Sequence, residues 1–97
     1  MNRMPEVLRS HGENSALRKL AEECSELSAA ALKLVCVRKG ESPMSEEDAR
    51  EKLVEEMGDV LVEFRLVRHI LTKEENNRVN LIASQKERRM YERLLKE

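Results

Sequence analysis

Apolar residues recur at steps of three and four along most of this chain, and the interruptions divide it into helices. Leu17, Leu20, Cys24, Leu27, Ala31 and Leu34 predict one amphipathic helix from about Ser15 to Lys39. Gly40, in "KGESP", supplies its stop. A second helix opens at Ser45, where Ser45 and Asp48 form a capping-box-like pair. Its apolar residues are Ala49, Leu53, Met57, Val60, Phe64, Val67 and Leu71, and a second set, Val54, Leu61, Val62, Leu66 and Ile70, spreads around the cylinder. Thr72 and Glu75 make another capping-box pattern and open a third helix to about residue 96. Val79, Ile82, Met90 and Leu94 give that helix a weak apolar face. Ahead of these, residues 4–11 predict one or two helical turns starting near Pro5, and "HGEN" reads as a break.

The pattern predicts an all-α fold of three main helices in one domain spanning residues 1–97. A helix apolar on more than one side needs more than one partner. A chain of this length buries a limited core. The expectation is therefore a homo-oligomer, a dimer or tetramer, in which a second copy completes the bundle.

Composition agrees with helices and narrows the function. Charged residues make up 38% of the chain and aromatics only 2%, with Phe64 and Tyr91 the two aromatic side chains, so base stacking has little to work with. The net charge of −1 gives no general pull toward nucleic acid or membranes, which makes nucleic acid an unlikely partner. No apolar run approaches a membrane span, and "MNRMPEVLRS" lacks the apolar stretch of a signal peptide; a cytoplasmic protein is expected. Cys24 and Cys36 are twelve residues apart on one predicted helix, about 18 Å along its axis, too far for a disulfide with each other.

Glutamate outnumbers aspartate 17 to 2, yet Asp59 lies beside Gly58 in "EEMGDV", in mid-helix, where both are poor helix formers. Two acidic pairs at i, i+3 stand out: Glu23 with Glu26, and Glu56 with Asp59. With Leu20 as the centre of the first helix's stripe, Glu23 and Glu26 lie about 60° and about 120° to one side. Glu56 and Asp59 lie at the same angles from Leu53. If the two helices pack antiparallel, four carboxylates converge near their seam. Oxygen-only ligands suit Mg²⁺, or Mn²⁺, better than zinc. The shorter Asp59 sets a ligand distance that a glutamate overshoots. Gly58 lies about 140° from the stripe, facing elsewhere, where it suits the close approach of a neighbouring helix.

A solvated acidic face is the plain alternative, since Asp48 and Glu51 make another i, i+3 pair. A di-iron site is disfavoured because no Glu stands three residues before His11 or His69. Both histidines read as surface residues. The third helix ends in a basic run of Lys86, Arg88, Arg89, Arg93 and Lys96. Lys86, Arg89 and Arg93 share a face that is either solvated or suited to anions. Lys33 points near the flank of Glu26 and is a further candidate for anion contact.

"LAEECSELSAAALK" followed by "LVEEMGDVLVEF" resembles the MazG-type all-alpha nucleoside triphosphate pyrophosphohydrolases, whose signature is ExxE on one helix and ExxD on the next. "ASQKERRMYERL" is similar to their Lys- and Arg-bearing third helix. The resemblance covers about residues 12–95. It departs at Ala16, where many relatives carry Gln. It implies hydrolysis of a nucleoside triphosphate, with deoxynucleotides and non-standard nucleotides among the candidates, to the monophosphate and pyrophosphate. Glu23, Glu26, Glu56 and Asp59 would bind Mg²⁺, with one of them or Glu22 orienting the attacking water. Lys86 and Arg89 would contact phosphates. The residues alone leave a second reading open, a non-enzymatic helical module that works by oligomeric interaction.

Overall fold

A computed structural model describes residues 2–95 and contains four α-helices. They are α1 (Met4–His11), α2 (Glu13–Arg38), α3 (Glu46–Arg68) and α4 (Lys73–Leu94). The N-terminal turns expected near Pro5 are thus a helix of their own. Gly12 alone makes the break after it, at φ 88°, and α2 begins at the next residue. α2 ends in a Schellman arrangement. The Glu41 N–H donates to the Cys36 carbonyl and the Gly40 N–H to the Val37 carbonyl, with Gly40 at φ 74°. That left-handed conformation strains any residue with a Cβ, which explains a glycine here.

The connection from Lys39 to Ser45 is short, so α3 turns back along α2. Arg38 and Glu46 form an ion pair across its mouth at 3.0 Å. Ser45 Oγ accepts from the Asp48 N–H at 3.1 Å and caps α3 as the sequence predicts. The interior of this hairpin is one seam. α2 contributes buried Ala16, Ala30 and Leu34 with half-buried Leu20 and Leu27. α3 contributes buried Ala49 and Leu66 with half-buried Leu53, Val60 and Val67. α1 lies across the open end and touches both helices.

The α3 helix stops at Arg68, short of the apolar residues Ile70 and Leu71. Its last carbonyl finds a partner in α4: the Asn76 side-chain amide donates to the Arg68 carbonyl at 2.8 Å, and also to the carbonyl of Thr72, the N-cap of its own helix, at 3.2 Å. Arg68 answers by donating from Nε to Asn76 Oδ1 at 2.8 Å and from Nη2 to Asn80 Oδ1 at 3.0 Å, with its guanidinium over the Phe64 ring. Thr72 and Glu75 form the full reciprocal capping box. These bonds fix the root of α4.

Beyond its root α4 leaves the body. It buries no residue, and none of the substantial helix–helix contacts involves it. The sequence expects three main helices in a bundle that a second copy completes; the chain carries three long helices, α2, α3 and α4, with α1 as a fourth, and within one chain α2 and α3 pair as a hairpin, α1 lies across one end and α4 projects. The radius of gyration is 17.1 Å, whereas a compact chain of this length has about 12.5 Å. Lys96, counted in the basic tail, lies outside the described residues. Among the described residues, no helix is long and apolar enough to cross a membrane.

Candidate metal centre and its cleft

The seam of the hairpin is not wholly apolar. On α2 it runs Ala16, Leu20, Glu23, Leu27, Ala30, Leu34, and on α3 it runs Ala49, Leu53, Glu56, Val60, Glu63, Val67. Glu23 is 6% exposed and Glu56 is 3% exposed. This corrects the expectation that both acids sit at the flank of the apolar stripe. The interior stripe is rotated by about 40° from the one centred on Leu20 and Leu53. Leu17, Cys24 and Ala31 face solvent instead, as does Met57 on α3. Ala16, in the same seam, is buried as a packing residue at the end covered by α1.

The two helices bring the buried glutamates face to face. One carboxylate oxygen each from Glu23, Glu56 and Asp59 lies within 4.8 Å of the others. Asp59 reaches the cluster from the exposed edge of α3. The donor set fits a hard divalent cation. It is all carboxylate oxygen, and Oε2 of both Glu23 and Glu56 is buried without a hydrogen-bond partner. Native interiors rarely leave such atoms unpaired, and a cation between the helices satisfies both. The other oxygen of each glutamate is engaged: Lys19 Nζ lies 3.0 Å from Glu23 Oε1 and Lys52 Nζ 2.9 Å from Glu56 Oε1.

Glu26 is exposed at the edge of α2, outside that trio of atoms. The charges of Glu23 and then Glu56 push its carboxyl above the ordinary carboxylate value, with burial and hydrogen bonding to both adding to the shift. Hydrogen bonding to Glu23 raises the Lys19 ammonium, and hydrogen bonding to Glu56 raises Lys52.

Beside the cluster, a cleft of about 640 Å³ opens between the helices. Glu26, Ala29, Ala30 and Lys33 line it from α2, Met44 from the connection, and Asp48, Glu51, Lys52, Glu55 and Glu56 from α3. Glu56 belongs to both the cleft and the trio. The volume is that of a small-ligand site. Five carboxylates and two ammoniums on its walls make it acidic, so a polyanion needs a cation to enter with it.

The sequence-predicted residues thus divide. Glu23, Glu56 and Asp59 converge, and Glu26 and Lys33 share the adjoining cleft. Glu22 is exposed on α2 beside Lys19 and outside the cleft lining. Lys86 and Arg89 stand exposed on α4, and Arg89 lines a separate hollow with Gln85, Arg88 and Glu92. One chain does not bring them to the cleft. Gly58 has nothing within 4 Å of where a Cβ would stand, so no helix of its own chain makes the expected approach.

Lys19 and Lys52 were missed by sequence reasoning, although a signal was present. "KLAEECSE" at 19–26 and "KLVEEMGD" at 52–59 are the same octet, with Lys, Leu, Glu and Glu in register and an acid at the end. Much of the seam repeats at the same offset, Ala16, Leu20, Glu23, Leu27 and Leu34 being answered by Ala49, Leu53, Glu56, Val60 and Val67, while buried Leu66 has exposed Lys33 as its counterpart.

No significant match was found among curated proteins or solved structures. The family model of the MazG nucleotide pyrophosphohydrolase domain does match, over residues 11–93. That span takes in α2, α3 and nearly all of α4, with both acidic motifs and the cleft between them. The chain belongs to the MazG nucleotide pyrophosphohydrolase domain family.

Proposed function

We propose that this chain hydrolyses a nucleoside triphosphate between its α- and β-phosphates, releasing the monophosphate and pyrophosphate, with Mg²⁺ or Mn²⁺ as cofactor. The observation that carries the proposal is the pair of buried glutamates, each with an unpartnered oxygen, that gather with Asp59 beside an acidic cleft. Glu23, Glu56 and Asp59 would hold the cation, with Glu26 at the cleft edge. A divalent ion there supplies charge neutralisation for the phosphates and an activated water.

The chain's own groups do the rest. Lys33 and Lys52 present ammoniums on the cleft wall, where they can pair with phosphate oxygens. Glu26, already in the cleft, is better placed than the outward-facing Glu22 to orient a water. Ala29, Ala30 and Met44 give the cleft an apolar section suited to the less charged part of a nucleotide. Lys86 and Arg89 would reach such a site only from the α4 of another copy. Self-association is part of the proposal, supported by the unpacked α4 and by exposed Val54, Met57, Leu61 and Leu81.

The test is pyrophosphate release from a panel of ribo- and deoxynucleoside triphosphates with Mg²⁺. Turnover of at least one is expected. Glu56→Gln and Asp59→Asn should each lower it by about a thousandfold or more with helicity retained. Folded protein that turns over none of the panel refutes the proposal. The second reading, a non-enzymatic interaction module, is favoured by the exposed apolar residues of α4. It predicts no rise in melting temperature with Mg²⁺ and nucleotide, whereas a ligand of the folded state must produce one.

A further inference from the structure

Lys19 and Lys52 occupy equivalent places in the two halves of the hairpin. Each stands four residues before a buried glutamate and holds its Oε1, at 3.0 and 2.9 Å, while that glutamate's Oε2 stays buried and unpartnered. Both lysine side chains are about half exposed, so each ammonium sits at the protein–water boundary with a route back to solvent along its own flexible stem.

A carboxylate sealed in a helix seam with no countercharge is strongly destabilising. This hairpin seals two carboxylates in its seam, facing each other. We propose that Lys19 and Lys52 are resident counter-ions of the metal centre. They neutralise Glu23 and Glu56 before a divalent cation arrives, and they restrain the affinity with which it is then held. The proposal deepens the metal-centre reading and rests on it.

The geometry explains the restraint. Each ammonium contacts Oε1 of a carboxylate whose Oε2 is buried and unpartnered, and each of these carboxylates gives one oxygen to the convergent trio. A cation held by these carboxylates would share them with the two ammoniums, and the like charges would repel. Loading must therefore push each lysine outward. The two retreat to different places: Lys52 lines the large cleft, and Lys19 lines the smaller cavity beneath α1 with His11, Ser15 and Glu63.

The test is calorimetric titration of Mn²⁺ into the full chain, for the unaltered protein and for Lys19→Gln, Lys52→Gln and Lys52→Arg. Each Gln variant should bind Mn²⁺ about five- to tenfold more tightly, because a repelling charge has gone. Each should also melt at a lower temperature without metal and recover when saturated. Lys52→Arg, which keeps the charge, should bind as the unaltered protein does. A Gln variant that folds only with Mn²⁺ supports the proposal; one unfolded with and without it counts against. Gln variants that bind equally or more weakly, while the unaltered chain binds, overturn the counter-ion role and leave the metal centre standing. Absence of Mn²⁺ binding in every chain overturns both. A purely structural lysine would lower the affinity when removed, never raise it.

Discussion

Helices α3 and α4 are of similar length, 23 and 22 residues, and both are rich in charge, yet they end in opposite states. The hairpin buries a seam and places two glutamates inside it. α4 buries nothing and is held only at its root, by Arg68, Asn76 and the Thr72–Glu75 box. Local signals are as good in α4 as in α3; its capping box is the more complete of the two. The difference therefore lies in what each helix has to pack against. A helix can be fully specified by its own residues and still have no place in the protomer's core.

Five substitutions sharpen that contrast. The largest effect is expected for Leu66→Ala in the seam, which should cost about 2–4 kcal/mol in denaturant unfolding. Its counterpart Leu81→Ala on α4 should stay within about 0.5 kcal/mol at protein concentrations where the chain is monomeric. A cost at Leu81 that grows with protein concentration would show a second copy covering α4. Next comes Arg68→Ala, at about 1–2 kcal/mol, since it removes charged hydrogen bonds to Asn76 and Asn80. Amide exchange should speed up at the start of α4 and remain slow in the α2–α3 seam.

Gly58→Ala should stabilise by about 1 kcal/mol, as an added Cβ meets nothing in the chain. Destabilisation instead, together with loss of assembly in sedimentation, would put another copy's helix against Gly58. The smallest effect belongs to Glu26→Gln. The Glu26 carboxyl is raised by the charges of Glu23 and Glu56, so the folded chain binds its proton more tightly than the unfolded chain does. Stability is therefore lost as pH rises from the ordinary value of 4.5 through the raised one. Glu26→Gln should raise the metal-free melting temperature at neutral pH, with the gain vanishing below about 4.5. A gain that persists at low pH would mean the effect is not electrostatic.

Much of this was legible in the residues. The Ser45, Gly40 and Thr72–Glu75 signals act within a few residues of themselves, and each appears where the sequence predicts it. The acidic pairs were legible as spacing, and spacing also placed Glu23 and Glu56 on comparable faces of their helices. Reading the apolar stripe from hydrophobicity alone put its centre about 40° from the true one, because Leu17, Cys24 and Met57 looked like core and the glutamates did not. Polar residues at interior positions defeat any method that defines the interior by its lack of them.

What the sequence determined by itself is the set of helices, the stops and caps at Gly40, Ser45 and Thr72, and which carboxylates and lysines lie within one helical turn of one another, all consequences of local geometry. Only the tertiary structure decided that Glu23 and Glu56 face inward, that Lys19 and Lys52 pair with them, and that Lys86 and Arg89 stand apart on an unpacked helix. Those facts depend on how far each helix rotates about its own axis to bury the most apolar surface against its neighbour. That balance is struck between helices, where no single stretch of sequence records it.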